Sequence, residues 1–225
     1  MKKSWAAVIL ISVFISLSFM QDKKIKVVFF GDSITEAGVN PHGFITIDDS
    51  LLNAGSTVNY ELIGAGISGN KVYDLYFRME EDVIGKSPDI VVIWVGVNDV
   101  WHKKMGTGTD ADKFERFYLA MVKKFKAANA KIIVCTPATI GEKYDNTNEQ
   151  DGDLNKYSNI IRKIAADQHL TLVDLRFAFE AYEKTNNPNN LDRAILTADG
   201  VHLNDAGNMF VAKLIAEGIR KVTHG

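Results

Sequence analysis

The sequence is poor in cysteine and has no excess of basic charge. Its 225 residues include one cysteine, Cys135, so no internal disulfide can form. Lysine and arginine number 26 against 28 acidic residues, which gives a formal net charge of -2. Because nucleic-acid-binding domains carry clustered basic charge, this balance argues against a nucleic acid partner. Cys135 lies in an apolar run and is predicted to be a buried structural thiol.

The sequence also has no apolar run long enough for a typical membrane span. The apolar stretch at residues 6–19 follows Lys2 and Lys3 and is shorter than the roughly 20 residues that a spanning helix needs. This pattern is typical of a secretory signal peptide. We therefore expect a signal peptide at residues 1–20 and a single secreted or periplasmic domain at residues 21–225, with no stable membrane partner after cleavage. An uncleaved N-terminal anchor is the alternative.

Five apolar runs alternate with segments that repeat apolar residues at helical spacing. This alternation predicts an α/β fold, a three-layer α/β/α sandwich around a five-stranded parallel sheet. The predicted strands are Ile25–Phe30, Val58–Ile63, Ile90–Val95, Lys131–Thr136 and Leu170–Asp174. The predicted helices are His42–Ala54, Val72–Ile84, Asp112–Ala128, Asp153–His169 and Asp205–Val222.

Polar and glycine-rich segments follow the first three predicted strands. They are Gly31–Ser33, Gly64–Gly69 and Gly96–Asp99. Because parallel strands present their carboxyl ends at one edge of a sheet, we expect the three segments to converge. This convergence makes Ser33 a candidate nucleophile, although Gly-Asp-Ser taken alone favours a simple turn that leads into a helix.

An Asp-x-x-His segment, Asp199 to His202, precedes the last predicted helix. This spacing lets one turn bring the carboxylate onto the imidazole, which fixes the tautomer and leaves the other ring nitrogen free to act as a base. A pair that only caps a loop is the simpler interpretation when the segment is considered alone. Trp101 and His102, just after Asn98, are candidates to line the pocket.

Three glycines, Gly64-x-Gly66-x-x-Gly69, match the dinucleotide-binding fingerprint. The match follows the second predicted strand, whereas a dinucleotide fold carries it after the first. Asp99 lies 30 residues beyond Gly69, where the ribose-binding acid is expected after about 20. We therefore predict no nicotinamide cofactor and assign Gly64 and Gly66 to a tight turn and close helix packing.

Together these segments resemble the GDSL/SGNH hydrolase superfamily, the serine esterases and lipases with a flavodoxin-like fold. The resemblance covers about residues 25–222. Ile34 stands in place of the leucine of the family's first block, and Gly64 stands where many members have an asparagine. The four matching blocks, in the family's order, are Gly31–Thr35, Gly66–Gly69, Gly96–Asp99 and Asp199–His202.

The resemblance implies a carboxylic ester hydrolase that uses neither a metal nor a cofactor. Ser33 would be the nucleophile, His202 its base and Asp199 the partner of His202. The oxyanion hole would consist of the Ser33 and Gly69 backbone N–H groups and the Asn98 side-chain amide. The lack of a long apolar lid favours a short-chain, acetyl-type ester of a carbohydrate or another small molecule.

The same residues are also compatible with other activities. A lipase or lysophospholipase could use the same serine site. A metal-dependent phosphoesterase could use Asp32, Asp99, Asp199 and His202 as ligands. A carbohydrate-binding module without catalysis could share the fold. In the esterase interpretation, Asp32 supports the nucleophile turn and Asp99 lies behind the reacting groups.

Overall fold

The computed structural model describes residues 24–224. The predicted signal peptide at residues 1–20 lies outside the described residues and stays a prediction. Five parallel strands form one sheet in the order β2-β1-β3-β4-β5. They are β1 (Ile25–Gly31), β2 (Tyr60–Gly66), β3 (Ile90–Trp94), β4 (Lys131–Cys135) and β5 (Thr171–Val173).

Helices cover both faces of the sheet, which confirms the predicted α/β/α sandwich. One apolar cluster packs α2, α7 and α8 on one face, and a second packs α3, α5 and α6 on the other. Both faces are therefore buried, which explains why the strands are continuously apolar. The helices are α1 (Ser33–Ala37), α2 (Phe44–Asn53), α3 (Val72–Asp82), α4 (Val97–Trp101), α5 (Ala111–Ala127), α6 (Asp151–Gln168), α7 (Leu175–Asn186) and α8 (Asp205–His224).

The strand order determines where the polar segments meet. β1 lies between β2 and β3, and the winding direction changes between β1 and β3. Gly31 at the end of β1 is level with Gly66 of β2 and Trp94 of β3. The segments that follow these three strands therefore leave the sheet at the same edge, the position where open α/β sheets bind ligands.

The second strand corrects one expectation. β2 begins at Tyr60 and extends to Gly66, so Gly64 and Gly66 lie inside the strand rather than in a turn. A Cβ atom on Gly66 would lie 2.0 Å from the backbone nitrogen of Glu36 in α1. This glycine is thus required by the close approach of β2 and α1, and the arrangement is not a phosphate-binding turn.

Three helices were not predicted. α1 and α4 have five residues each, too few to show a periodic apolar pattern. α7 is longer, but its buried and exposed residues do not follow polarity: Arg176 is buried, whereas Phe177 is 65% exposed. Among residues 24–224, no helix has the length and apolar character required to cross a bilayer.

Candidate active site

Ser33 is the first residue of α1 and directly follows the turn at the end of β1. A Cβ atom on Gly31, the last residue of β1, would lie 2.4 Å from the Trp94 carbonyl oxygen, so only glycine fits at this position. Asp32 caps the helix, since its Oδ1 accepts a hydrogen bond from the Ile34 N–H at 3.1 Å. Burial raises the pKa of Asp32 to about 6. Asp32 thus supports the turn, and its side chain is only 2% exposed.

The structure brings Ser33, His202 and Asp199 into one hydrogen-bonded chain. Ser33 Oγ lies 2.9 Å from His202 Nε2, and His202 Nδ1 lies 2.8 Å from Asp199 Oδ2. Asp199 Oδ1 also accepts hydrogen bonds from the backbone N–H groups of His202 and Val201. Burial raises the pKa of Asp199, but these hydrogen bonds together lower the pKa by more than burial raises it. The pKa of Asp199 therefore lies below its ordinary value. The carboxylate is therefore ionised and can support a protonated imidazole.

The loop that carries Asp199 and His202 is held by a buried carboxylate that the sequence did not indicate. Glu142 accepts hydrogen bonds from three successive backbone N–H groups, at Ile195 (2.8 Å), Leu196 (2.6 Å) and Thr197 (2.8 Å). Its side chain is fully buried. No local sequence pattern marks Glu142, because its three partners lie more than 50 residues away along the chain.

The turn at residues 67–70, between β2 and α3, carries the predicted oxyanion donor Gly69. Glu36 accepts from the Ser68 N–H at 2.8 Å, Lys71 Nζ donates to the Gly69 carbonyl at 3.1 Å, and Asn98 Nδ2 donates to the Asn70 carbonyl at 3.1 Å. Gly69 has φ +77°, in the region that favours glycine. Each neighbouring peptide is thus fixed by a separate partner.

The donors themselves remain available. Within residues 24–224, the structure records no acceptor for the backbone N–H groups of Ser33 and Gly69. The Ser33 N–H is free because the first N–H groups of a helix have no partner inside the helix. Asn98 is only 4% exposed and uses its amide on Asn70, which leaves its second amide hydrogen for another acceptor.

Arg78 of α3 joins the ends of the first two strands. Its guanidinium donates to the Gly31 carbonyl at 2.7 Å, the Ala65 carbonyl at 3.0 Å and the Asn70 Oδ1 at 2.7 Å. It also stacks over the Phe30 ring, 4.5 Å from the ring centroid. The five donors of an arginine allow one side chain to join these segments. No motif in the sequence indicated this role.

Asp99, one of the candidate metal ligands, contacts the backbone of α3 instead. Both oxygens of Asp99 face the Val72 N–H at 3.2 Å, and burial raises the pKa of Asp99 to about 7. Asp99 thus contacts the start of α3. In the part of the chain that the structure describes, no group of three or more histidine, cysteine or acidic side chains could hold a metal ion. The cluster of ligands that the phosphoesterase alternative requires is thus not found among residues 24–224.

Of the two candidates after Asn98, Trp101 lies beside the hydrogen-bonded chain of Ser33, His202 and Asp199. Its ring is edge-on to the His202 ring, with centroids 6.5 Å apart, and it lines a cavity that reaches Asp199. His102 packs against Trp101 and is not among the residues that line this cavity. Burial, with a contribution from the nearby Lys71 charge, lowers the pKa of His102.

A comparison with known protein families matches a range that includes all the candidate site residues. The GDSL-like lipase/acylhydrolase family model matches residues 29–209, a range that includes Ser33, Gly69, Asn98, Asp199 and His202. The chain belongs to this family. It is a carboxylic ester hydrolase, as the resemblance implied.

Two similar proteins of this family are acetylxylan esterases. The acetylxylan esterase of Geobacillus stearothermophilus is 33% identical over 208 residues, which cover 84% of this chain and 90% of the relative. The crystal structure of an acetyl xylan esterase, AlAXEase, is 61% identical, with a TM-score of 0.85, and covers 87% of this chain and 100% of its own.

Two solved structures are catalytic mutants of the Geobacillus enzyme. One replaces a serine with alanine and is 26% identical to this chain, covering 88% of this chain and 96% of the relative, with a TM-score of 0.75. The other replaces a histidine and is 27% identical, with the same coverage and TM-score.

Proposed function

We propose that this enzyme removes acetyl groups from a carbohydrate, with acetylated xylan or its oligosaccharides as the substrate class. The single observation that carries the proposed mechanism is the hydrogen-bonded chain from Ser33 Oγ through His202 to Asp199. The substrate class is supported by the acetylxylan esterases to which this chain is similar.

In the first half of the proposed reaction, Ser33 Oγ attacks the acetyl carbonyl carbon while His202 Nε2 takes the hydroxyl proton. The carbonyl oxygen becomes an oxyanion, which accepts hydrogen bonds from the Ser33 and Gly69 N–H groups and the Asn98 amide. The carbon–oxygen bond to the sugar then breaks, and His202 returns the proton to the leaving sugar oxygen. Asp199 stabilises the imidazolium throughout.

In the second half, water replaces the sugar. His202 removes a proton from the water as its oxygen attacks the acetyl–Ser33 carbonyl. The bond to Ser33 Oγ breaks, Ser33 regains its proton from His202, and acetic acid leaves. A serine and a histidine are also the replaced residues in the two catalytic mutants of the Geobacillus relative, which supports these roles.

The test is acetate release from acetylated xylan by the wild type and by Ser33→Ala, together with hydrolysis of p-nitrophenyl esters of increasing acyl length. We expect the wild type to release acetate from the glycan and to prefer acetyl over longer acyl groups, and we expect Ser33→Ala to release none. A rate that rises with acyl length, without acetate release from the glycan, would instead favour a lipase or lysophospholipase.

We also propose that the enzyme works outside the cytoplasm. The support is the short apolar stretch after Lys2 and Lys3, a pattern of secretory signals. Cell fractionation and N-terminal sequencing of the mature protein test this: we expect a new N-terminus near residue 21 in the exported fraction. Protein that retains Met1 and stays with the membrane fraction would indicate an uncleaved anchor.

A further inference from the structure

A cavity of about 300 Å³ opens beside the triad, between α4 and the loop that joins β4 to α6. Its walls include Trp101, Lys143, Asp192 and Asp199. We propose that this cavity is the subsite for the sugar of the leaving alcohol, and that the Trp101 ring is the surface on which a sugar ring packs. The proposal rests on the proposed function, because it assigns a place to that function's substrate.

The position of the cavity relative to the triad decides which part of an ester it receives. The leaving oxygen must lie near His202, since this histidine returns the proton to it, while the carbonyl oxygen points to the opposite set of donors. The cavity is lined by Asp199, Gly200 and Val201 from the loop that carries His202. Ser33, His202 and the oxyanion donors do not line it, and the cavity reaches the triad through Asp199 and through Trp101, whose ring is edge-on to the His202 ring with centroids 6.5 Å apart. The cavity therefore borders the site on the side of His202 rather than on the side of the oxyanion donors, and we assign it to the leaving alcohol.

The chemistry of the lining favours a sugar over an acyl chain. Trp101 offers an aromatic surface for the C–H groups of a sugar ring, and the other named walls carry charged groups that can bind hydroxyls. Lys143 makes no ion pair within residues 24–224, so its ammonium group is available to a ligand. The volume is at the lower end of the range for ligand pockets, which suits a short saccharide.

The cavity is held in shape before any ligand arrives. The Gly141 N–H donates to the Gly200 carbonyl at 2.8 Å, and the Glu142 N–H donates to the Asp192 carbonyl at 2.9 Å. An ion pair between Lys104 and Glu149 joins the turn after α4 to the opposite loop. A pocket fixed by its own hydrogen bonds loses little conformational entropy on binding, which increases affinity.

The test compares two substrates in the same variants: an acetylated xylo-oligosaccharide and p-nitrophenyl acetate. For Trp101→Ala, we expect the ratio of kcat/KM for the oligosaccharide to kcat/KM for p-nitrophenyl acetate to fall by about 10-fold. Trp101→Phe keeps an aromatic ring and is expected to restore part of the ratio. Phe77→Ala is the matched control, because it removes an exposed aromatic ring of α3 that does not line the cavity.

A second measurement does not depend on glycan turnover. Xylotriose, which has no acetyl group, is expected to inhibit p-nitrophenyl acetate hydrolysis by the wild type and to inhibit Lys143→Ala more weakly. Lys143 is a half-buried surface residue, so this variant tests the cavity even if Trp101→Ala does not fold.

The outcomes separate the subsite from the function. A wild type that releases acetate from xylan, with no xylotriose inhibition and an unchanged substrate ratio in the Trp101 variants, would overturn the subsite and keep the function. Inhibition that depends on Lys143 in an enzyme that releases no acetate from xylan would keep the subsite and overturn the function.

Discussion

The two halves of the candidate site are held in different ways. The sheet half, which consists of Ser33, Gly69 and Asn98, follows the ends of β1, β2 and β3 and is fixed by the hydrogen bonds that build the fold. The loop half, Asp199 and His202, lies on a loop, and its side chains are 49% and 40% exposed.

The sheet half is part of the folded core, whereas the loop half can change with less effect on the fold. The donors of the sheet half cannot move without disturbing neighbouring strands and α3. The loop half depends on polar contacts within and around the loop, which include those of Glu142, the contact between Gly141 and Gly200, and the contact between Ser33 and His202. We therefore expect changes in the loop half to alter catalysis or loop anchoring while leaving the sheet intact.

The largest effect within the loop half is expected from Asp199→Asn. An amide cannot stabilise the imidazolium and can hold His202 in the wrong tautomer, so kcat should fall by roughly 10³- to 10⁴-fold. Because Asp199 is half exposed, the melting temperature should change little. Steady-state kinetics and thermal melting measure the two quantities. Retention of wild-type kcat would mean that the carboxylate only orders the loop.

A smaller loss is expected from Asn98→Ala in the sheet half. Removal of one oxyanion donor should lower kcat by about 10²- to 10³-fold while KM changes much less. Since Asn98 also donates to the Asn70 carbonyl, circular dichroism must show that the turn and fold persist. A variant whose KM rises while kcat is unchanged would assign Asn98 to substrate binding instead.

Glu142→Gln tests the anchor of the loop half. The glutamine can offer one acceptor oxygen where the carboxylate offered two, so at least one buried N–H at residues 195–197 loses its partner. We expect the melting temperature to fall by about 4–8 °C and kcat/KM to fall by between 10- and about 10²-fold.

The matched control for this change is Glu61→Gln, an exposed glutamate of β2. It removes the same charge and should leave both the melting temperature and kcat/KM unaltered. If Glu142→Gln behaves like this control, the loop half has another anchor and Glu142 does not set it apart from the sheet half.

The smallest effect on activity is expected from Asp48→Asn, which belongs to neither half. Burial raises the pKa of Asp48 to about 9, whereas the unfolded value is about 3.9. Between these values the folded protein keeps a proton that the unfolded chain releases, so this residue lowers stability as pH rises from about 4 to about 9.

Asparagine cannot ionise, so the melting temperature of Asp48→Asn should fall less between pH 5 and pH 8 than that of the wild type. At pH 8 the variant should melt at a higher temperature than the wild type, by on the order of 5 °C. kcat/KM should stay at the wild-type value. Melting curves at the two pH values provide the measurement. An unchanged pH dependence would show that Asp48 does not keep its proton in the folded state.

Local patterns in the sequence predicted where the residues of the sheet half lie, although their catalytic roles stay predictions. Apolar runs that end in Gly-Asp-Ser and Gly-x-Asn-Asp indicate strand ends, and parallel strands bring those ends together. The Asp199 and His202 pair was visible because its partners are three residues apart. The apolar runs do not specify the order of the strands, and the position of β1 between β2 and β3 comes from the structure.

The supporting contacts could not be predicted because they join distant segments through side chains with no motif. Glu142 binds backbone groups beyond residue 194, and Arg78 joins the ends of two strands. α7 was missed since its apolar pattern is interrupted by buried Arg176, which pairs with Asp151 at 2.7 Å. Such pairs depend on the folded chain rather than on local spacing.

The most direct test of the central claim is to locate the acetyl group on the enzyme during turnover. Wild type and Ser33→Ala are incubated with p-nitrophenyl acetate, quenched in acid and digested for peptide mass mapping. The proposed mechanism predicts one acetyl group on Ser33 in the wild type, and neither acetylation of that peptide nor turnover in the variant. Undiminished turnover by Ser33→Ala, or acetylation only at another residue, would contradict it.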